Sequence, residues 1–223
     1  PDLAATLARI QQHGTKGFYH GETADLIVKD QRNGGGLITH EDLAQYRPIE
    51  REAIRGKYRG YEFITMPPPS SGGIALMQIL GMLEPYDLAK LQLHSAQYSH
   101  LVVEAMRRAF HDRALYLGDP DFYDAPQAEL THPSYISRMM RDFDPLRASS
   151  SDELESSLSA ATESTETTHF AAADSEGNVA SSTYTLNGNY GNSVTVAGAG
   201  FLMNNEMDDF TAKVGVKNQY GLL

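Results

Sequence analysis

Apolar positions follow two rhythms along the chain. Leu3, Leu7 and Ile10 recur at helical spacing ahead of Gly14, which predicts a helix capped by Asp2, stopped at Gly14 and carrying that trio on one face. A second helix is predicted over 22–31, ended by the glycines at 34–36, and a short third over 40–45. YRGYEFITM reads as a strand with alternating sides. PPPSSGG then breaks it, because prolines cannot continue a ladder and paired glycines free the backbone. IALMQILGMLE predicts an apolar helix over 74–84. A longer helix follows over 95–116, with Ser95 as its cap and Leu101, Val102, Ala105, Met106 and Ala109 as its buried stripe. LGDPDFYDAP is a turn-rich loop, and THPSYISRMMRDF predicts a last helix.

The rhythm then stops. Over 149–166 every residue except Leu154, Leu158, Ala160 and Ala161 is Ser, Thr, Asp or Glu. Such a stretch has too little apolar surface to offset its ordering entropy and reads as a linker. Beyond it the period is that of strands. THFAAAD and NVASSTYTL predict a hairpin joined through SEG, their small side chains suited to a crowded layer, and TVAGAGFLMNN predicts two more short strands around a glycine turn. There is no internal repeat. The expected organisation is a helix-rich part over 1–148, a linker over 149–166 and a strand-rich part over 167–223.

Composition narrows the chemistry. The 223 residues are 41% hydrophobic, enough for a buried core. The net charge of −11 argues against a nucleic-acid partner, which needs a basic surface. The absence of cysteine excludes disulfides, thiolate catalysis and Cys-ligated zinc. No apolar run is long enough to cross a bilayer, and no signal peptide is visible. Pro1 cannot be a translation start, so the sequence is expected to be clipped, at its far end as well. The eight histidines form no HExxH pair, no GxSxG elbow occurs, and GGG at 34–36 lacks the frame of a phosphate loop, so neither a metal nor another cofactor is expected.

The junction ESTETTHFAAAD is the most informative stretch. A threonine hydroxyl is a weak nucleophile without an adjacent base, and one solution is the threonine's own α-amine. That amine titrates near pH 8 and exists only if the chain is cut just before the threonine. A polar tether entering a strand at Thr167 is the layout such a cut needs. The Thr167 hydroxyl could attack the Glu166 carbonyl, giving an ester that water opens. From composition alone, a plain linker meeting a sheet explains the same residues.

The blocks GFYHGETADLI, GGGLITHEDLAQYRP, MPPPSSGG, LGDPDF, TTHFAAADSEGN, TYTLN and NNEMDDF occur in order along nearly the whole chain. With them the chain resembles the γ-glutamyltransferase (γ-glutamyl transpeptidase) family of N-terminal-nucleophile hydrolases. The resemblance implies an α/β (α+β) fold, a four-layer αββα sandwich only partly covered here. It implies self-cleavage between Glu166 and Thr167, which assigns 1–166 to a large subunit and 167–223 to a small one. Thr167 would be the nucleophile, and Thr185 would hydrogen-bond its hydroxyl. Asn187, Glu206 and Asp209 would hold the α-amino end of a γ-glutamyl substrate such as glutathione, with water or an amino acid or peptide as acceptor. A carboxylate pair suits an ammonium, which offers three donors and a full charge. The resemblance places the oxyanion glycines and a serine-rich substrate loop after residue 223, and the arginine for the substrate carboxylate before residue 1. It also implies a periplasmic or extracellular location.

Other readings compete. His169 reads first as a packing residue of its strand, and Thr168 as support for the turn or oxyanion region. Asp208 reads as a loop-shaping residue beside Asp209. PPPSSGG reads as a rigid loop. Arg107, Arg108 and Arg113 are expected to pair with acids such as Glu104 and Asp112 or to lie solvated. At the level of function, an acylase acting on a cephalosporin (glutaryl) side chain or on poly-γ-glutamate, and a non-catalytic binding protein that kept the fold, remain alternatives.

Overall fold

The computed structural model describes residues 1–150 and 167–210. They fall into two compact units, one built from Pro1–Ile49 with the chain from 161 onward, the other from Glu50–Ala160.

The first unit opens with helices α1 (Asp2–His13), α2 (Lys16–Tyr19), α3 (Gly21–Gly34) and α4 (His40–Gln45). α1 stops at Gly14 as expected, but Asp2 lies in its first turn rather than capping it. Leu3 and Leu7 are exposed, and the buried side of α1 is polar: Thr6 donates to Ala199 O at 2.9 Å. Arg9 reaches Thr6 and Thr23, so this helix docks through hydrogen bonds where periodicity predicted an apolar stripe. α4 begins with a capping box, Thr39 and Asp42 satisfying each other's backbone N–H groups.

Strands β3 (Thr167–Ala173) and β4 (Val179–Thr185) pair antiparallel in the same unit, with Thr167 opposite Thr185. Asp174 turns the hairpin by accepting from the Glu176 and Asn178 backbone. β3 is exposed throughout, not set in a crowded layer. The segment 194–203 folds back as a turn held by the Thr195–Leu202 bridge, where two strands were predicted. Its Val196 and Ala199 join Ala24, Ile27, Val28 and Leu43 in one apolar core.

The second unit starts with a hairpin, β1 (Ile54–Tyr58) against β2 (Tyr61–Thr65). The single strand read from YRGYEFITM is therefore a turn and one arm of that hairpin. Arg59 and Gly60 both have positive φ, 52° and 84°, the backbone of a two-residue turn matched to strand twist. Helix α5 (Gly72–Leu83) begins within PPPSSGG, at its two glycines, and α6 (Ala96–Tyr116) is capped by the Ser95 hydroxyl, which accepts from Tyr98 N. Short helices α7 (Gln127–Leu130) and α8 (Pro133–Met139) complete the unit. Its core joins Ala75, Met82 and Leu83 of α5 to Leu101, Ala105 and Ala109 of α6 and Ile136 of α8. Full burial of each larger side chain contributes about 2 kcal/mol.

α6 departs from its predicted stripe. Met106 is exposed, while Glu104, Arg108 and Asp112 are buried at successive turns. Asp112 accepts from Gln78 and from the Tyr135 hydroxyl, whose pKa is raised by burial and then by that carboxylate. Arg107 and Arg108 pair with acids as expected, and Arg113 also lies over the Phe110 ring. No helix among the described residues is long and apolar enough to cross a membrane.

Candidate functional site

The hairpin of the first unit sets the site. Directly opposite residues of an antiparallel pair hold their Cβ atoms about 5 Å apart on one face, so the register brings Thr167 and Thr185 together. Thr185 ends β4, and its hydroxyl accepts from Asn187 N at 2.9 Å. That bond closes the turn leaving the strand. Asn187 takes φ of 69° there, a conformation Asn tolerates better than most residues.

From this turn the Asn187 side chain reaches across the site. It is 5% exposed, and its Nδ2 donates to Asn205 O at 3.0 Å and to Asp209 Oδ1 at 3.3 Å. Asn205 returns the link: its Oδ1 accepts from Gly188 N at 2.8 Å and its Nδ2 donates to Asp208 Oδ2 at 2.9 Å. Asp208 thus serves the loop. The two segments can approach closely because residue 191 is glycine. A Cβ there would lie 2.0 Å from Met203 O.

Glu206 and Asp209 bound a 3-10 turn (Glu206–Asp209). Residues three apart eclipse in that geometry, so the two carboxylates share a side. Burial, then the charge of Asp209, raises the Glu206 carboxyl above its ordinary pKa. Glu206 Oε1 is buried without a hydrogen-bond partner among the described residues. A carboxylate pair made of a half-buried Glu206 with an unsatisfied acceptor and an exposed Asp209 suits a compact cation bearing several N–H donors, and a primary ammonium has that form.

The sequence-predicted residues Thr167, Thr185, Asn187, Glu206 and Asp209 thus lie in one unit, four of them on two short turns that bond to each other. Glu166 and the rest of 151–166 lie outside the described residues. Thr168 faces away from Thr167, as alternation requires. His169 shares the Thr167 face, but it is exposed and hydrogen-bonded, not packed: its ring meets Thr183 Oγ1 at 2.7 Å and Ser181 Oγ at 3.1 Å. Asn205 was not singled out in the sequence as a site residue. Its one signal was its place beside Asn204 ahead of the acidic EMDD.

Comparison with known proteins gives this arrangement its context. A family model described as Gamma-glutamyltranspeptidase matches residues 1–222. The chain is 48% identical over 225 residues to the glutathione hydrolase proenzyme of Pseudomonas aeruginosa, covering 100% of this chain and 40% of that protein. The crystal structure of Helicobacter pylori gamma-glutamyltranspeptidase is similar with a TM-score of 0.66 and 43% identity, covering 68% of this chain and 44% of that one. Cephalosporin acylase from Bacillus halodurans is similar with a TM-score of 0.77 and 26% identity, covering 99% of this chain and 39% of that one. The chain spans about two fifths of the length of the P. aeruginosa relative. It carries part of the fold these structures share, mixed α/β as its sequence predicts. By the match along nearly its full length, the chain belongs to the gamma-glutamyltranspeptidase family.

Proposed function

We propose that this chain carries the nucleophile and the ammonium-binding group of a self-processing γ-glutamyl transferase/hydrolase. One observation supports the reading most directly. Asn187 bonds the Thr185 hydroxyl through its backbone and Asp209 through its side chain, so one residue ties the Thr167 pair to the carboxylate pair.

In the proposed maturation, Thr167 Oγ attacks the Glu166 carbonyl carbon. The C–N bond breaks, the Thr167 nitrogen takes the hydroxyl proton, and an ester forms. Water then opens the ester, leaving a Glu166 carboxylate and a free Thr167 hydroxyl and α-amine. In turnover that amine acts as the base. Thr167 Oγ attacks the γ-amide carbonyl of glutathione or a similar donor, and the amine departs with a proton. Water or an amino acid or peptide acceptor then takes the γ-glutamyl group from the ester. Glu206 and Asp209 hold the donor α-ammonium. On this reading 1–148 and the linker 149–166 belong to a large subunit and 167–223 to a small one, and the protein works in the periplasm or outside the cell.

The test is direct. Full-length wild-type protein should run as two bands on a denaturing gel, the smaller beginning with threonine, and Thr167→Ala as one band. A single wild-type band under conditions that permit processing refutes self-cleavage. An acylase acting on glutaryl side chains is the second reading, favoured by the likeness to cephalosporin acylase. A glutaryl group has no α-amine to meet Glu206 and Asp209, so release of p-nitroaniline from γ-glutamyl-p-nitroanilide over its glutaryl analogue separates the two.

A further inference from the structure

The turn that leaves β4 contains an Asn–Gly pair, Asn187–Gly188, beside the carboxylates. Asn–Gly is the pair most prone to spontaneous loss of the asparagine amide, because glycine has no Cβ to keep its nitrogen away from the preceding side chain. In that reaction the Gly188 nitrogen gives up its proton and bonds to Asn187 Cγ. The Cγ–Nδ2 bond breaks, and the amide nitrogen takes a proton and leaves as ammonia. Water then opens the five-membered imide at either carbonyl, leaving aspartate or isoaspartate at 187.

The structure opposes each step. Gly188 N donates to Asn205 Oδ1 at 2.8 Å, which keeps the proton on that nitrogen and fixes the peptide plane. Asn187 Nδ2 donates to Asn205 O at 3.0 Å and to Asp209 Oδ1 at 3.3 Å, which ties down the leaving amide. Asn187 N donates to Thr185 Oγ1 at 2.9 Å, so the pair is held at both backbone nitrogens. Asn187 is 5% exposed, which limits the approach of water. Asn205 accepts two of these bonds and is itself fixed. Its N–H donates to Leu186 O at 3.1 Å, and its Nδ2 donates to Asp208 Oδ2 at 2.9 Å. A second Asn–Gly pair, Asn33–Gly34, lies exposed at the end of α3.

We infer that Asn187 is a latent deamidation site and that Asn205 guards it. The guard holds the turn closed, so the reaction proceeds only from a locally opened state. The product acid has no N–H for Asn205 O or Asp209 Oδ1, and it sets a negative charge against Asp209. A fall in donor affinity follows on the binding role proposed above. The chemistry at Asn187 does not depend on that role.

The test incubates full-length protein in mildly alkaline buffer and follows aspartate and isoaspartate by peptide mass spectrometry, at 187 and, as an internal reference, at 33. In the wild type, reaction at 187 should be about tenfold or more slower in native buffer than in urea. Asn205→Ala removes the bonds to Gly188 N and Asp208 and should speed reaction at 187 about tenfold, with the rate at 33 unchanged. Adding Gly188→Ala to that variant should slow it again. Gly188 has no positive φ, and the nearest atom to a Cβ there is Asn205 Oδ1 at 3.3 Å, which Asn205→Ala removes. Equal rates at 187 in native buffer and urea, or in wild type and Asn205→Ala, overturn the guard. An undiminished rate after adding Gly188→Ala overturns the imide route. Rates at 187 and 33 rising together also overturn the guard, because Asn205 then supports the whole fold rather than this turn. None of these measurements reads enzyme activity, so failure of the guard leaves the proposed function standing, and an inactive enzyme leaves the guard standing.

Discussion

Glu206 and Asn187 are the side chains whose chemistry can be checked most sharply. Burial and Asp209 raise the Glu206 pKa, while a bound ammonium would favour the ionised carboxylate. Donor affinity is therefore low at pH below that raised pKa and climbs as pH rises through it. Glu206→Gln should flatten this acid limb of kcat/KM for γ-glutamyl-p-nitroanilide. It should also raise KM about 10-fold to 100-fold at neutral pH, the loss of one charge-assisted hydrogen bond. An unaltered acid limb would remove Glu206 from the binding role. Asn187→Gly keeps the positive φ and the backbone bond to Thr185 but deletes the donor to Asp209. KM should rise about tenfold with self-processing within about twofold of wild type, as gel time courses and initial rates would report. From residue chemistry alone only the Thr167 junction was legible. Thr185, Asn187, Glu206 and Asp209 became legible through family resemblance, because the bonds joining 185–188 to 205–209 cross a span that no local pattern encodes. Asn205 escaped for that reason.

Elements were legible where one signal ruled. α4 matches its expected range, and α5 and α6 lie within two residues of theirs, because a hydroxyl cap at Thr39 or Ser95, or a continuous apolar run in α5, marks them. β1 and β2 merged into one predicted strand because the turn depends on positive φ at Arg59, a non-glycine residue. On α6 the apolar stripe hid a charged one beside it, Glu104, Arg108 and Asp112, since buried ionisable residues look like a solvated face until their partners are known. Burial pushes the Glu104 carboxyl up, but hydrogen bonds from Ser149, Arg108 and Arg107 outweigh it and hold the pKa at about 2, against an ordinary 4.5. A depressed carboxyl contributes stability that is full above its unfolded pKa and lost as pH falls through the folded one. Glu104→Gln should thus cost about 3 kcal/mol at neutral pH, read as a lower urea midpoint. The deficit should shrink between about pH 4.5 and pH 2, where the wild type loses the same interaction. A deficit that stays constant with pH would show that the carboxylate charge is not what holds the element.

At the scale of the whole molecule, the compact units cut across the division expected from composition. The proposed scissile bond separates 1–166 from 167–223, yet the first unit packs residues from both sides of it. Ala24, Ile27, Val28 and Leu43 share an apolar core with Val196 and Ala199, and Thr6 donates to Ala199 O. Sequence patterning could not reveal this, since Val196 and Ala199 lie in a glycine-rich turn with no periodicity of its own. Cutting the Glu166–Thr167 bond would leave that core intact, because none of its side chains belongs to the junction. The two pieces should therefore co-elute as one particle in native size-exclusion chromatography and separate only in denaturant. Val196→Ala removes buried methyl groups from the shared core and should cost about 2 kcal/mol, lowering the urea concentration at which the pieces part. The Thr167→Ala precursor carrying the same substitution should lose similar stability while remaining one chain. Wild-type pieces that separate in native buffer would mean that this shared core does not hold the cut protein together.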